Sequence, residues 1–438
     1  MWGMQLNTIY NDARPLHNVC KFLGLAPYSI RINPLTGEGF IDTDFKSNTL
    51  TVIWTLILLC AMVGGLIDTI IMNVMTFNFS TSDIINKAFC LPMFYMVSIL
   101  MIVMNGTVNK YKIEQFLSKI SEIDKVMSYM KGQEYSKIKS KKYSSYFEIA
   151  VLIAVFLPCL IYDVCSFMGD VIILCKIQMR LCEILQFVLM TQHCQLTRFI
   201  RVRLKMLGRV VSAVFNDSCS EGESELPGST REAFNSKLST GVTRISPELV
   251  SNKKLLAYKI FHLSEANTVD LFSCNAKNFA RLRRVYSLLC DAVGFVNSIY
   301  GFLVMFLIMQ IFIELITGVN GIMHLIKENN SPHFANATLL IVHLISRIVL
   351  SLGILVTTIL SCHVTVLESK ELGIYVQKIL LKYPLRSDTV QQLKLFYQQI
   401  SNNDIQFTAF WLFNLDISFL CTIFASSITY IILLAQIK

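Results

Sequence analysis

The stretch that decides the fold is residues 88–109, Ala-Phe-Cys-Leu-Pro-Met-Phe-Tyr-Met-Val-Ser-Ile-Leu-Met-Ile-Val-Met-Asn-Gly-Thr-Val-Asn, which has no charged side chain between Lys87 and Lys110. A helix of this length measures about 33 Å and is long enough to cross the hydrocarbon core of a bilayer. The stretch therefore predicts a transmembrane helix.

Six further stretches contain the roughly 20 mostly apolar residues that a spanning helix needs. The chain has 438 residues, of which 53% are hydrophobic and only 16% are charged, too few charges for an ordinary soluble enzyme. We therefore predict an all-α membrane protein folded as a seven-transmembrane helix bundle. The predicted spans are residues 51–74, 88–109, 147–167, 181–200, 291–317, 336–362 and 409–437.

The distribution of positive charge predicts the orientation of the bundle. The polar segments alternate between long and short, and the long ones carry 32 of the 39 Lys and Arg residues. Positively charged segments resist translocation, so the long segments are predicted to be cytoplasmic and the N-terminus intracellular. Because the charges lie between apolar runs, they indicate topology and no nucleic-acid partner. The sequons on the predicted outer side make three glycosylation candidates, Asn78, Asn329 and Asn336.

The spans divide the chain into four predicted regions. The long loop 201–290 contains a Ser- and Gly-rich stretch, residues 216–252, that is predicted to be flexible. The segment after the sixth span has helical periodicity that is broken at Pro384. The regions are a cytoplasmic N-terminal segment (1–50), six spans whose outer half is predicted to bind a small ligand (51–362), a cytoplasmic helical segment (363–408) and the seventh helix (409–438).

Polar side chains within the spans predict a ligand pocket. A charge in the hydrocarbon is costly and marks a cavity, a partner or an ion path. Arg347 lies about 15 Å into the sixth span, and Gln310 and Glu314 lie four residues apart in the fifth. An alternative remains open, in which Arg347 only pairs with Glu314 or Asp163 and holds helices in register. The ligand-binding candidates are Arg347, His343, Glu314, Gln310, Asp163, Gln186 and Glu183.

The seventh span carries a polar stripe. Its polar residues fall within a sector about 120° wide, as expected for a helix that lines a pore. In the alternative interpretation, the hydroxyls bond to their own backbone carbonyls or join helices together. The residues of the stripe are Asn414, Ser418, Thr422, Ser426, Thr429 and Gln436.

The end of this span resembles the signature of insect gustatory receptors, which is Thr-Tyr, five hydrophobic residues and Gln-Phe. The chain matches at Thr429, Tyr430 and Gln436 and has Ile437 where the family usually has Phe. Similarity to the fructose-receptor-related branch extends to Leu23-Gly24-Leu25-Ala26-Pro27-Tyr28 and to Val296-Asn297-Ser298-Ile299-Tyr300-Gly301.

The resemblance implies the insect chemoreceptor channel fold, a homotetramer whose seventh helices surround a cation pore. It implies a ligand pocket in the outer half of the bundle and a cytoplasmic helical anchor that holds the tetramer. Hetero-assembly with other gustatory receptors is a further option, and the expected location is the plasma membrane of a sensory neuron dendrite. The pore and gate residues implied are Gln436, Ile437, Thr429, Tyr430, Ser426, Thr422 and Ser418.

The predicted function is a gustatory receptor, a nonselective cation channel gated by a small plant-derived tastant, with a bitter compound favoured over a sugar such as fructose. The alternative is a seven-helix G-protein-coupled chemoreceptor, which would place the N-terminus outside, against the charge count. No phosphate loop, nucleophile-base pairing or metal motif is recognisable, so neither an enzyme nor a cofactor is expected.

Overall fold

A computed structural model describes residues 8–32, 39–42, 45–75, 91–131, 172–222, 276–327, 334–382 and 387–437. These residues form long helices and two short antiparallel hairpins. The helices are α1 (Thr8–Phe22), α2 (Phe45–Met75), α3 (Leu91–Gly106), α4 (Val108–Lys131), α5 (Ile172–Gly222), α6 (Ala276–Lys327), α7 (Phe334–Lys382), α8 (Ser387–Asn402) and α9 (Ile417–Ile437). The strands are β1 (Ser29–Ile32), β2 (Gly39–Asp42), β3 (Thr408–Ala409) and β4 (Phe413–Asn414).

The long helices have the length and composition of membrane spans. Helices α2, α6 and α7 are each apolar enough to cross a bilayer, and α3 with α4 meets the same test as one span bent by 55°. Helix α5 contains the predicted fourth span, and the predicted third span, residues 147–167, lies outside the described residues. The molecule is a helical membrane protein, as the sequence predicts.

Helix α6 is the centre of the bundle and contacts α3, α4, α5, α7, α8 and α9. Its buried residues recur at alternating spacings of three and four, which keeps one side of the helix facing its neighbours. This buried series is Leu282, Tyr286, Leu289, Val293, Val296, Tyr300, Leu303 and Leu307.

The helices continue beyond the predicted spans and pack together. Helix α7 extends to Lys382, and α8 follows after a short gap that contains Pro384. Leu372, Val376 and Ile379 of α7 are buried, so the helical periodicity predicted for this segment belongs to a packing face. Helix α5 runs to Gly222, seven residues into the stretch predicted to be flexible. The remainder of that stretch lies outside the described residues.

The N-terminal segment contains a small hairpin that the sequence does not predict. Strands β1 and β2 pair with Ser29 opposite Asp42. On the preceding helix α1, the buried His17 lies with Nε2 3.1 Å from the Tyr28 carbonyl oxygen, so the neutral ring donates from Nε2. Burial is the main cause that lowers the pKa of His17 from its ordinary 6.5 to about 4.

The seventh helix begins later than predicted. Residues 408–414 form the β3–β4 hairpin, and α9 starts only at Ile417, so the predicted boundary at 409 is wrong. Asp416 sets this start because its Oδ1 accepts a 2.8 Å bond from the Phe419 backbone N–H, as an N-cap does. Asn414 lies in β4 and does not belong to the helical stripe.

Candidate functional site

A cluster of buried and half-buried polar side chains joins three long helices. We call it the polar cluster. Within it, residues three apart on α5 and four apart on α6 and α7 share one helix face, which is why each helix presents several polar groups to the same place. The members are Arg180, Glu183 and Gln186 of α5, Gln310 and Glu314 of α6, and Arg347 and Ser351 of α7.

The charged members form a chain of ion pairs. Arg347 Nη2 lies 3.0 Å from Glu314 Oε1, and Arg347 Nε lies 3.1 Å from Glu183 Oε1, an ion-pair distance without an aligned hydrogen bond. Arg180 Nη1 donates to Glu183 Oε2 at 2.6 Å. Two guanidinium groups therefore face two carboxylates, and the cluster has no net charge when all four are ionised.

Neutral contacts complete the cluster. The amides of Gln186 and Gln310 bond to each other reciprocally, with N–O distances of 2.9 and 2.8 Å. The Ser351 hydroxyl donates to Glu314 Oε2 at 2.8 Å. The Arg347 guanidinium carbon lies 5.2 Å from the centroid of the Phe94 ring, so α3 also borders the cluster.

The structure brings together five of the seven predicted ligand-binding residues. These are Glu183, Gln186, Gln310, Glu314 and Arg347. Of the other two, His343 lies in α7 with its side chain outside the described part of the chain, and Asp163 lies wholly outside it.

Arg180 was missed because it stands at the edge of the predicted fourth span, although its spacing of three from Glu183 was a usable signal. The pairing of Arg347 with Glu314, which the sequence left open, is present, and Glu183 is its second partner.

Helix α9 exposes its polar stripe in the isolated chain. Ser418, Thr422, Thr429 and Gln436 are exposed and Ser426 is half-buried. The hydroxyls of Thr422 and Thr429 donate to the carbonyls of Ser418 and Ala425, at 3.0 and 2.9 Å. These bonds satisfy both hydroxyls in water and in lipid alike, so the two threonines do not show which solvent the stripe faces. Ser418 and Gln436 are the stronger indication that the stripe faces water.

The opposite side of α9 packs on the bundle. Ile423 and Ser427 are buried, and the Ser427 hydroxyl donates to the Ile423 carbonyl at 2.8 Å. Tyr430 meets Phe312 of α6 edge to face, with ring centroids 5.7 Å apart.

The comparison with protein families covers almost the whole chain. The family model described as 7tm Chemosensory receptor matches residues 13–438. The chain belongs to the 7tm chemosensory receptor family.

Solved structures agree with this assignment at the level of the fold. The receptor is similar to the insect olfactory receptor OR5 from Machilis hrabei, with a TM-score of 0.66 and 11% sequence identity. The match covers 98% of this chain and 99% of that one. The same olfactory receptor in complex with eugenol gives a TM-score of 0.65 and 12% identity. No curated protein matches the chain by sequence.

The predicted gate residue Ile437 and the three glycosylation candidates of the chemosensory receptor stay predictions. Ile437 ends α9 with its side chain outside the described set, and Asn336 stands in the same situation near the start of α7. Asn78 and Asn329 are outside the described ranges altogether.

Proposed function

We propose that this chemosensory receptor is a tastant-gated, nonselective cation channel of taste neurons. In this proposal four copies surround one axis, and α9 of each copy lines the pore. The single observation that carries the proposal is the exposed polar stripe of α9, because the side chains of Ser418 and Gln436 are better solvated by a water-filled pore than by lipid.

The surface of α9 divides into three sectors that suit this assembly. Counting about 100° per residue, Ser418, Thr422 and Thr429 lie within about 40° of one another and Gln436 returns to the direction of Ser418. The buried side faces the receptor's own bundle. A third sector is exposed and apolar, and would meet the α9 helices of neighbouring copies. It is formed by Ile417, Cys421, Ile428 and Ile432.

The proposed gate is at the C-terminal end of α9. Gln436 and Ile437 form the constriction, and Thr429 and Tyr430 lie about two turns before it. An apolar ring of Ile437 side chains would close the pore by excluding water. Ser426, Thr422 and Ser418 continue the lining toward the other end of the helix.

We propose the polar cluster as the ligand site, with His343 and Asp163 as further candidates. Both described carboxylates already pair with guanidinium groups, so a cationic ligand gains less there than a neutral one. The cluster is bordered by Phe94 and its polar groups bond to one another. A sugar would need partners for many hydroxyls, whereas a bitter plant compound with few polar groups needs only one or two. A bitter compound is therefore favoured over fructose.

Helix α6 offers a direct connection between ligand site and gate. Glu314 belongs to the polar cluster, and Phe312, two residues earlier, packs against Tyr430 of α9. A ligand that takes over one contact of Glu314 displaces the same segment of α6 that supports the pore helix. Such a ligand opens the channel if it binds the open arrangement more tightly than the closed one.

The proposal is tested by expressing the receptor in a heterologous cell and recording inward current. The panel contains neutral bitter plant compounds, alkaloid cations and sugars including fructose, and untransfected cells serve as the control. Current evoked by neutral bitter compounds supports the full proposal, and current evoked by a sugar corrects the ligand class. A response carried only through a G protein, which a G-protein inhibitor abolishes, would overturn the channel assignment.

Co-expression with other gustatory receptors tests the hetero-assembly option, and labelling of sensory dendrites tests the location.

A further inference from the structure

The hairpin before the pore helix presents three consecutive large apolar side chains away from the protein. We call residues 407–415 the interfacial hairpin. At its turn, Phe410, Trp411 and Leu412 are 49%, 76% and 64% exposed. Apolar side chains grouped in this way are unfavourable in water and mark an interaction surface.

The backbone of the turn is strained to keep aromatic residues there. Phe410 and Trp411 have φ angles of 49° and 61°, the left-handed region that Gly or Asn adopts easily and bulky residues adopt rarely. Strain of this kind persists where the surrounding structure imposes it, and it commonly accompanies a functional position.

The surrounding structure is a set of contacts with two successive turns of α6. The Asn297 side chain donates to the Gln406 carbonyl at 2.8 Å and accepts from the Thr408 backbone N–H at 3.1 Å. One turn further along α6, Phe302 packs against Phe410 with ring centroids 5.2 Å apart. The hairpin is therefore held against α6 in a fixed orientation.

These two turns of α6 lie where the surface of the helix changes from polar to apolar. Asp291 and Ser298 are exposed, and Lys112 of α4 donates to the Ser298 carbonyl at 3.1 Å. From Ile299 to Ile313 the sequence is apolar apart from the hydroxyl of Tyr300, the glycine at 301 and Gln310, and both Tyr300 and Gln310 are buried. This change of surface is typical of the boundary between headgroups and hydrocarbon.

The length of α9 also places the hairpin at the boundary between headgroups and hydrocarbon. Its 21 residues measure about 31 Å, the thickness of the hydrocarbon core, so a helix that starts at Ile417 begins at the membrane boundary. This length would place the hairpin, which ends two residues before Ile417, at the headgroup level.

We propose that the interfacial hairpin binds the lipid bilayer. Phe410, Trp411 and Leu412 insert between headgroups and acyl chains of the leaflet in which α9 begins. The indole ring suits this region because its apolar body and its N–H group prefer different surroundings. The insertion fixes the depth of the first turn of α9. This role requires only a membrane protein and is independent of whether the receptor conducts ions.

The test is fluorescence quenching by brominated lipids. The full chain contains three tryptophans, and a variant with Trp2→Phe and Trp54→Phe keeps Trp411 alone. It is reconstituted in phosphatidylcholine nanodiscs whose acyl chains carry bromine either near the headgroup or near the chain end. We expect bromine near the headgroup to cause the larger loss of Trp411 emission, and aqueous acrylamide to cause little.

Every other result overturns the proposal. Strong quenching by acrylamide alone would place Trp411 in water. No quenching by either reagent would place it under protein, as in a contact with a second copy. Stronger quenching by the deep bromine would place it within the hydrocarbon. Should the double variant fail to fold, the difference in emission between the unmodified protein and Trp411→Phe in the same nanodiscs isolates the same signal.

Discussion

Arg347 of α7 and Glu314 of α6 form an ion pair with a 3.0 Å separation inside the helix bundle, and Arg347 also contacts Glu183 of α5. One guanidinium therefore joins three helices by charge. Removing one member of a buried pair leaves an uncompensated charge, which costs more than the pair itself contributes.

We expect Arg347→Ala to lower the free energy of unfolding by about 3–5 kcal/mol, because two buried carboxylates lose a partner. A double variant, Arg347→Met with Glu314→Leu, is the matched control. It should recover most of the loss because Glu183 keeps Arg180. Thermal unfolding of the detergent-solubilised protein measures both. A double variant no more stable than the single one would contradict this account.

If the cluster also binds the ligand, variants that remain folded shift the ligand response more than the ion selectivity.

The reciprocal amide pair gives a second prediction. In Gln310→Leu the Gln186 amide stays buried without its partner, which costs about 1–3 kcal/mol of unfolding free energy. Replacing both glutamines by Leu removes the unsatisfied group and should restore stability to near that of the unmodified protein. Thermal unfolding measures all three proteins. Equal losses in the single and double variants would show that the pair matters through packing and not through its hydrogen bonds.

The proposed pore makes a prediction about conduction. Gln436→Glu would place a carboxylate from each copy at the constriction and should change single-channel conductance or basal opening. Ser427→Ala on the buried side of the same helix is the matched control, since that hydroxyl donates to the Ile423 carbonyl within α9 and does not belong to the exposed stripe. Both are measured by patch clamp with surface expression quantified. Unchanged currents in Gln436→Glu at normal expression would remove this residue from the gate.

His17 predicts a pH dependence of stability. Its pKa is about 4 in the folded protein and 6.5 ordinarily, so between these values the unfolded chain binds a proton that the folded chain does not. The contribution of His17 to the free energy of unfolding is therefore fully present above about pH 6.5. It is lost as the pH falls toward 4, by about 3 kcal/mol in total. His17→Gln retains a donor for the Tyr28 carbonyl and does not titrate. Its midpoint of thermal unfolding should fall less on acidification than that of the unmodified protein. Parallel falls would contradict the assignment.

The sequence predicted those parts of the fold that depend on composition and periodicity. Long apolar runs predicted the membrane-spanning helices α2, α6 and α7, and the helical periodicity after the sixth span predicted a helical segment there. The spacing of four predicted that Gln310 and Glu314 share one face of α6, because helical side chains so spaced are neighbours. The sequence could not predict which carboxylates pair with Arg347, since that depends on the angles at which α5, α6 and α7 cross.

The start of α9 was mispredicted for a different reason. Residues 409–415 are mostly apolar, so hydropathy could not separate the hairpin from the helix that follows. What ends the hairpin is the cap of Asp416, and what stabilises it is Asn297, more than 100 residues away. Long-range bonds of this kind leave no periodic signal in one sequence.

The close approach of this hairpin to α6 gives the last prediction. A Cβ at Gly301 would lie 3.0 Å from the Phe410 backbone N and 3.2 Å from the Thr408 carbonyl O, and neither main-chain atom can rotate away. Gly301→Ala should therefore displace the hairpin and cost about 1–3 kcal/mol of unfolding free energy. Gly294→Ala on the same helix is the matched control, because within the described residues its added Cβ has no atom from another part of the chain within 4 Å. There the gain in helix propensity should stabilise the protein by about 0.5–1 kcal/mol.

Hydrogen exchange separates this local effect from general destabilisation. In Gly301→Ala the amide of Thr408, which bonds to Asn297, should exchange faster, whereas amides in α2, remote in sequence from both glycines, should be unchanged. Equal exchange and equal stability in the two alanine variants would mean that the hairpin can move away from α6 freely. In that event the left-handed φ angles of Phe410 and Trp411 would need a cause other than the contact with α6.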